Sequence, residues 1–469
     1  MPRTDRLPES RSTSPPKTVG GPLTVATLAS EVAAGGIDTV ELVMVDMQGR
    51  LQGKRIMAQY FLDTVLDGGC EAQSYLLATD VEMNTVEGYT VASWATGYGN
   101  LVMVPDVRTI RRLPWHPTSV MVLCDLFDKE GSALTVSPRQ LLRHQLDKLS
   151  GRGWTALSGT ELEFQIFANS YEDAWSSGYR TLRPVSSYSA DYSMLDTRGV
   201  GLLLADLHRD LTDAGVEMES IVAEAAPGQH ELVLACREAL TTADNHAFAK
   251  FAAKQVVAGC GHSVTFMAKL DQNAGNACHI HFSLRNDDET PVFAGNGAHG
   301  FSPVMQSFLA GQIAFLPELT LLLAPNINSY KRFVAGSYAP TAISWGYDNR
   351  TCALRVVGSG KSLRLEHRLA GADVNPYLAL AAIVAAGLRG IEDGLQLEDP
   401  VSGNAYSAEL PHVPTTLRAA LELFRGSSMV RKAFGDDVVA HYARMAEHEL
   451  EQFDQSITDW EKYRGFERL

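Results

Sequence analysis

Cysteine is scarce: six in 469 residues (Cys70, Cys124, Cys236, Cys260, Cys278 and Cys352), scattered and with no CxxC pair. That excludes a dense disulfide framework and fits thiols kept reduced in a cytoplasm. Long apolar runs are also missing. The longest uncharged one, Tyr377–Leu388, falls well short of the ~20 residues of a membrane helix, so a soluble protein with no membrane partner is expected. The N-terminal MPRTDRLPES has no apolar segment and does not read as a secretory signal. Positive charge is in deficit, 40 Lys and Arg against 55 Asp and Glu for a net charge of −15. A surface so acidic repels phosphate backbones, which argues against nucleic acid as a partner.

Apolar residues make up 45% and charged residues 20% of the chain, enough for a sizeable core. At ~150 residues per domain the length allows two or three. Residues 1–22 are rich in Pro, Ser, Thr and charge and read as a flexible arm. A small unit follows over 23–115. In it, ELVMVDMQGRLQGKRI (41–56) predicts strand, turn at Gln48-Gly49 and strand, and NLVMVPD (100–106) another strand, stopped at Pro105. RRLPWHP (111–117) breaks regular structure. The remainder, 116–469, mixes strands and helices without a βαβ rhythm. Ser137-Pro138 is a cap and first-turn pair for a helix over 137–153, 375–391 predicts a buried helix, and the C-terminal DVVAHYARMAEHELEQFDQSITDWEKYR is amphipathic over several turns. The fold class is α+β with a large antiparallel sheet.

Four segments carry chemistry. GTELEFQIF (159–167) alternates, with Glu161, Glu163 and Gln165 on one face and Leu162, Phe164 and Ile166 on the other. NACHIHFSL (276–284) sets His279, His281 and Ser283 together on one face, and SLRLEHRLA (362–370) does the same with Arg364, Glu366 and Arg368. EAAPGQHE (224–231) bends Glu224 and Glu231 around a Pro-Gly turn. Any one of these is an ordinary polar face or salt-bridged strand. Four in one chain, supplying five Glu and a His, point to a cage for hard cations. Arg332, Arg350, Arg355 and Arg368 add positive charge. Carboxylate-bound divalent cations with several arginines are what phosphoryl transfer from ATP requires. No GxxxxGK[ST] loop or kinase signature occurs.

GTELEF, EAAPGQHE, NACHIHFSL, NSYKRF, DNRTCALR and RLEHRLAGADVNPYLALAA resemble, in order, the signatures of type I glutamine synthetases. The resemblance spans about 25–469. YLLATDVEMNTVEGYTVASW, APNINSYKRF and DWEKYRGFERL look most like the actinobacterial γ-glutamyl-amine ligases of that family, the γ-glutamylethanolamide synthetases in particular. The resemblance implies an N-terminal β-grasp domain and a glutamine synthetase-type catalytic domain, with sites between subunits of a hexameric ring or dodecamer. It implies two divalent metals per site, Mg²⁺ or Mn²⁺. One would be held by Glu163, Glu224 and Glu231, the other by Glu161, His279 and Glu366. Arg332, Arg368 and the backbone of Gly275 match the groups that hold glutamate. Arg350 and Arg355 match those on the transferring phosphoryl group. His281 and Ser283 match nucleotide contacts, with Arg364 beside them on the ATP side. The implied reaction joins glutamate to a small primary amine at the expense of ATP, through a γ-glutamyl phosphate.

Departures from the family pattern bear on the amine. Where glutamine synthetases place a Glu just before Ala-Pro, this chain has Tyr338. A phenol is neutral near pH 7 and suits an organic amine better than ammonium. The Asp-Gly-Ser-Ser segment of the ammonium site is missing, with Asp67-Gly68-Gly69-Cys70 at best a remnant. Ala235 and Cys236 replace an Arg and an aromatic, and Ala274 replaces an Asn. Tyr406 lies near the family's adenylylation tyrosine, in surroundings that read as structural.

Overall fold

The computed structural model describes residues 23–195, 199–272 and 275–469; the arm 1–22 and Ala274 lie outside them. Two sheets organise the chain. The first contains β1 (Thr39–Val45), β2 (Leu51–Met57), β3 (Cys70–Gln73), β4 (Asn100–Pro105), β5 (Arg111–Arg112) and β6 (Ser119–Phe127). Its order is β2-β1-β6-β4-β3, with β5 on β6. β1 and β2 form the expected hairpin, Thr39 opposite Met57. The buried Asp46 carboxylate accepts the Gln48 and Arg50 N–H groups at 3.0 and 2.8 Å, and Gly49 turns with φ +80°. The break at 111–117 does not end the sheet: β6, beyond it, pairs in parallel with β1 and antiparallel with β4. Apolar Val120–Cys124, buried on both faces, needs strands on either side, which only this central position supplies.

The second sheet contains β7 (Trp154–Phe167), β8 (Met218–Ala223), β9 (Gln229–Glu238), β10 (Ser263–Thr265), β11 (Cys278–Asn286), β12 (Trp345–Tyr347), β13 (Leu354–Val357) and β14 (Arg364–His367). Its order is β12-β13-β14-β11-β7-β9-β8, with β10 on β7. Every pairing is antiparallel except β12 with β13. One face carries the apolar set Leu162, Phe164, Ile280 and Phe282, all buried, and the helix Ala239–Gly259 packs against β7 and β9. The other face carries the polar set.

Helices make the rest of the core. Pro376–Glu392 is buried along nearly its whole length, capped by Asn375, whose side chain accepts the Tyr377 N–H. It packs on Pro303–Leu323, the one helix among the described residues long and apolar enough to cross a membrane by length and composition, and mostly buried here. Gly311 and Gly390 meet at this crossing so closely that a Cβ on either would strike the other helix's backbone. Pro138 opens the helix Pro138–Ser150 as expected, although the Ser137 side chain makes no cap bond. The C-terminal amphipathic pattern is interrupted: Asp436–Gln455 stops, and Thr458 with Glu461 forms a capping box that starts Asp459–Gly465 afresh. Arg139, fully buried, joins the first sheet to the helix Ala239–Gly259. It donates to Asp106 (2.8 Å) and Asp125 (2.7 Å) on one side and Asp244 (2.9 Å) on the other. Tyr377 also donates to Asp244, at 2.7 Å. None of the six cysteines is in a disulfide.

Candidate active site

The polar face of the second sheet gathers the predicted carboxylates and imidazoles, and the strand register says why. His279 on β11 stands opposite Glu161 on β7, and His281 opposite Glu366 on β14. Glu163 on β7 stands opposite Glu231 on β9, and Arg355 on β13 opposite Glu366. Directly opposed residues share a face, so a band of charge crosses five strands. Position 159, directly opposite His281 on β7, is a glycine, which leaves the space above it to the Glu161 carboxylate two residues along. His281 Nε2 lies 2.8 Å from Glu161 Oε1, and His279 Nδ1 lies 3.0 Å from Glu161 Oε2.

Two groups of ligand atoms converge, each within 4.8 Å: Glu161, Glu231 and His279, and Glu161, His281 and Glu366. Glu161 therefore belongs to both, and His281, expected at the nucleotide, joins the second. Glu163 turns aside. Its Oε2 accepts the Ala277 N–H at 2.7 Å and the Gln229 Nε2 at 3.0 Å. Glu224 sits where β8 ends, on the loop closed by Gly228 at φ +71°, and bonds back through its N–H to the Gln229 carbonyl. A Cβ at Gly228 would come within 2.6 Å of the Ile166 carbonyl, so both the φ and the space require glycine.

Electrostatics divides the carboxylates. Burial and the charges of Glu163 and Asp191 push Glu224 up to about 7. Burial and the charges of Glu161 and Glu163 push Glu231 up to about 9. Glu161 is raised by burial but lowered more by its bonds to His279 and His281, and ends well below the usual range. Glu366, fully buried, is likewise raised by burial and lowered more by His279, Arg368, His281 and Arg355. Arg355 donates to Glu366 at 2.7 Å and Arg368 donates to its other oxygen. Like-charge crowding and burial thus make Glu224 and Glu231 resist ionising, which a bound cation would relieve. The donor set, Glu oxygens with imidazole nitrogens, suits Mg²⁺ or Mn²⁺.

The arginines are not equivalent. Arg355 bridges Glu366 and the exposed Asp348, its Nε 3.0 Å from Asp348 Oδ1. Arg350 is exposed on the loop between β12 and β13, outside the carboxylate groups. Arg332 is buried and donates to the Leu369 and Ala370 carbonyls at 2.5 and 2.6 Å. Arg332 and Arg368 each keep a buried Nε–H that has no hydrogen-bond partner among the described residues. Gly275 packs under Arg332, whose Cγ would lie 2.8 Å from a Cβ there. Arg364 donates to His281 Nδ1 at 3.2 Å. Ser283 continues the β11 polar face, nearly buried. Tyr338 has φ +59° and an exposed ring, and its carbonyl lies 3.5 Å from Arg368 Nη2. Tyr406 donates to the Ala339 carbonyl at 3.0 Å, next to Tyr338.

Sequence reasoning missed three contributors: Gln229, Asp348 and Asp191. Gln229 had a signal, since it alternates in phase with Glu231. Asp348 and Asp191 had none, because nothing local says which group a loop aspartate will meet.

The description "Glutamine synthetase, catalytic domain" fits residues 135–464. Gamma-glutamylethanolamide synthetase from Streptomyces coelicolor is 54% identical over 448 residues, covering 96% of each chain. Glutamate–isopropylamine ligase from a Pseudomonas species is 37% identical over 432 residues, 91% of this chain and 94% of that one. Among solved structures, GmaS in complex with ADP superposes with a TM-score of 0.82 at 27% identity, covering 94% of this chain and 99% of that one.

Proposed function

This chain belongs to the glutamine synthetase family and is an ATP-dependent ligase of the γ-glutamyl-amine kind, and from that premise we propose that it joins glutamate to a small primary amine, ethanolamine before others. The observation that carries the reading is the band of Glu161, Glu163, Glu231 and Glu366 with two imidazoles and Arg355 on one face of the sheet. The choice of ethanolamine is supported by the 54% identity to a gamma-glutamylethanolamide synthetase and by Tyr338 in place of a carboxylate.

Two divalent cations, Mg²⁺ or Mn²⁺, supply Lewis acidity and neutralise phosphate oxygens when bound. Glu161, His279 and Glu366 would hold one, and Glu163, Glu224 and Glu231 the other. His281, Ser283 and Arg364 line the ATP side. Arg332 and Arg368, beside the Gly275 backbone, are the groups that would hold the carboxylates of glutamate. The γ-carboxylate attacks the terminal phosphorus of ATP, and ADP leaves. Arg350 and Arg355 would offset the charge in transit; Arg355 is already held in the site by Glu366, while Arg350, exposed on its loop, would have to swing inward. The amine nitrogen, having lost a proton, then attacks the acyl carbon of γ-glutamyl phosphate. Phosphate departs and a γ-glutamylamide remains.

The active form is a homo-oligomer, a hexameric ring or dodecamer, in which copies bury apolar side chains exposed on a single subunit, among them Trp94, Trp175, Tyr192, Trp460 and Phe466. Use of ATP and cysteines without disulfides favour the cytoplasm. The test is phosphate release from ATP and glutamate across ethanolamine, isopropylamine, putrescine and ammonium. Ethanolamine is expected to give the highest kcat/KM; ammonium matching the best organic amine would refute the amine assignment.

A further inference from the structure

Gln229 is 4% exposed, and both ends of its side-chain amide are engaged at the site. Oε1 accepts the Ala226 N–H at 3.0 Å. Nε2 lies 3.0 Å from Glu163 Oε2, 2.9 Å from the Gly275 carbonyl and 3.0 Å from Asn276 Oδ1. The orientation of the amide follows from these partners, since one end faces a donor and the other faces three acceptors. Its backbone contributes as well: the Gln229 N–H donates to the Ala226 carbonyl and its own carbonyl accepts the Glu224 N–H. One residue thus touches Glu163, the loop that carries Glu224, and the segment around Gly275.

The consequence for Glu163 is specific. Oε2 already receives two N–H groups, from Gln229 and from Ala277 at 2.7 Å. Oε1 is left for a cation. A carboxylate pinned by one oxygen cannot swing to a two-oxygen grip, and it does not have to be ordered at the moment of binding. The same Nε2 restrains the carbonyl of Gly275, a residue that packs under Arg332. Any displacement of the glutamine moves the metal carboxylate and the Gly275 backbone together.

We propose that Gln229 is a positioning residue that fixes Glu163 as a single-oxygen ligand and ties the cation held by Glu163, Glu224 and Glu231 to the glutamate-binding segment. It rests on the ligase reading above and adds a mechanical link between two of its substrate sites. Gln229 does not touch reacting atoms; it acts through Glu163 and Gly275.

The experiment uses the full-length assembled protein with Gln229→Met, which keeps length and removes both polar ends, and Gln229→Glu, which keeps shape and sets a carboxylate against Glu163. Mn²⁺ binding to each is titrated directly from the signal of free Mn²⁺, and KM is measured separately for glutamate and for ATP. Both variants should bind Mn²⁺ about 10–100-fold more weakly at one site and show a glutamate KM raised at least fivefold, with the ATP KM within twofold and assembly unchanged. Mn²⁺ affinity and glutamate KM both staying within twofold would overturn the positioning role, as would glutamate, ATP and melting temperature all shifting together. If Gln229→Met does not assemble, Gln229→Glu decides by the same criteria. Wild-type protein that binds no Mn²⁺ at all would instead remove the ligase reading itself, so the two failures are distinct.

Discussion

His279 and Glu161 face each other across β11 and β7, Nδ1 3.0 Å from Oε2, and the imidazole is thereby aimed before any ligand arrives. Glu161 spends its other oxygen on His281 at 2.8 Å. Without a cation, the histidines partly satisfy a carboxylate that a cation would otherwise share. A divalent ion bound by Glu161 would compete with these bonds.

Replacing Glu366 with Gln keeps its shape and removes the charge that Arg355 and Arg368 share. Turnover should fall at least about a hundredfold, since the residue neighbours both Arg355, assigned to the phosphoryl group, and a candidate cation site. Some stability should be lost too, because breaking a buried pair leaves cations uncompensated, at a cost of about 3–5 kcal/mol if nothing relaxes. Steady-state phosphate release and a thermal melt measure both. Near-normal turnover would remove Glu366 from the cage.

The pH dependence of stability without metal has a definite sign. Glu224 and Glu231 are raised from the ordinary value of 4.5 to about 7 and about 9. Between those limits the folded state binds more protons than the unfolded one, so stability falls as pH rises. The contribution is complete below about pH 4.5 and is lost through pH 7 and then 9. Melting temperature in chelator should therefore drop from pH 6 to pH 9, and Mn²⁺ should flatten the slope. A metal-free protein that becomes more stable over that range would contradict the crowded-carboxylate picture.

Tyr338→Glu restores a charge that can attract ammonium and take its proton. The wild type gives a larger amine apolar contact instead, ~0.8 kcal/mol per buried methylene. Two methylenes amount to about 1.6 kcal/mol, or roughly fifteenfold. The ratio of kcat/KM for ethanolamine over ammonium should shrink by about that factor in the variant. An unchanged ratio would separate Tyr338 from amine choice.

Activity should travel with assembly. Size-exclusion chromatography with light scattering on active fractions should show at least a hexamer; activity confined to a species of 51.0 kDa would refute the shared-site expectation.

Gly390→Ala tests the helix crossing. The new methyl would meet the Gly311 Cα at 2.7 Å and the Ser307 carbonyl, an overpacking that typically costs about 1–3 kcal/mol. The melting temperature should fall while KM values hold. An unchanged melt would mean that the two helices part easily.

Much of the site was readable because strands broadcast their faces. The alternation in 159–167 and 276–284 put Glu161 and Glu163, and His279 and His281, on the polar side before any pairing was known, and the structure keeps them there. The helix Pro376–Glu392 was equally plain from its unbroken apolar composition. The first sheet was less legible: the Pro-rich break at 111–117 looked like a boundary, yet β6 beyond it is the centre of that sheet. A local breaker bends the chain without saying which sheet the next strand joins.

What the sequence determined by itself was the inventory: strands of period two with ligands on one side, a turn bending Glu224 and Glu231, and arginines in number. Tertiary structure decided who meets whom. Glu161 and His279 are 118 positions apart in the chain, and a slip of one residue between β7 and β11 would send every ligand on one of them into the apolar core. The buried face, packed on β7 and β9 against the helix Ala239–Gly259, resists such a slip, and pairing between strands placed His281 opposite Glu366 and Glu163 opposite Glu231. Alternation is a property of one strand, but opposition needs two, and only the folded core supplies the free energy that selects their alignment.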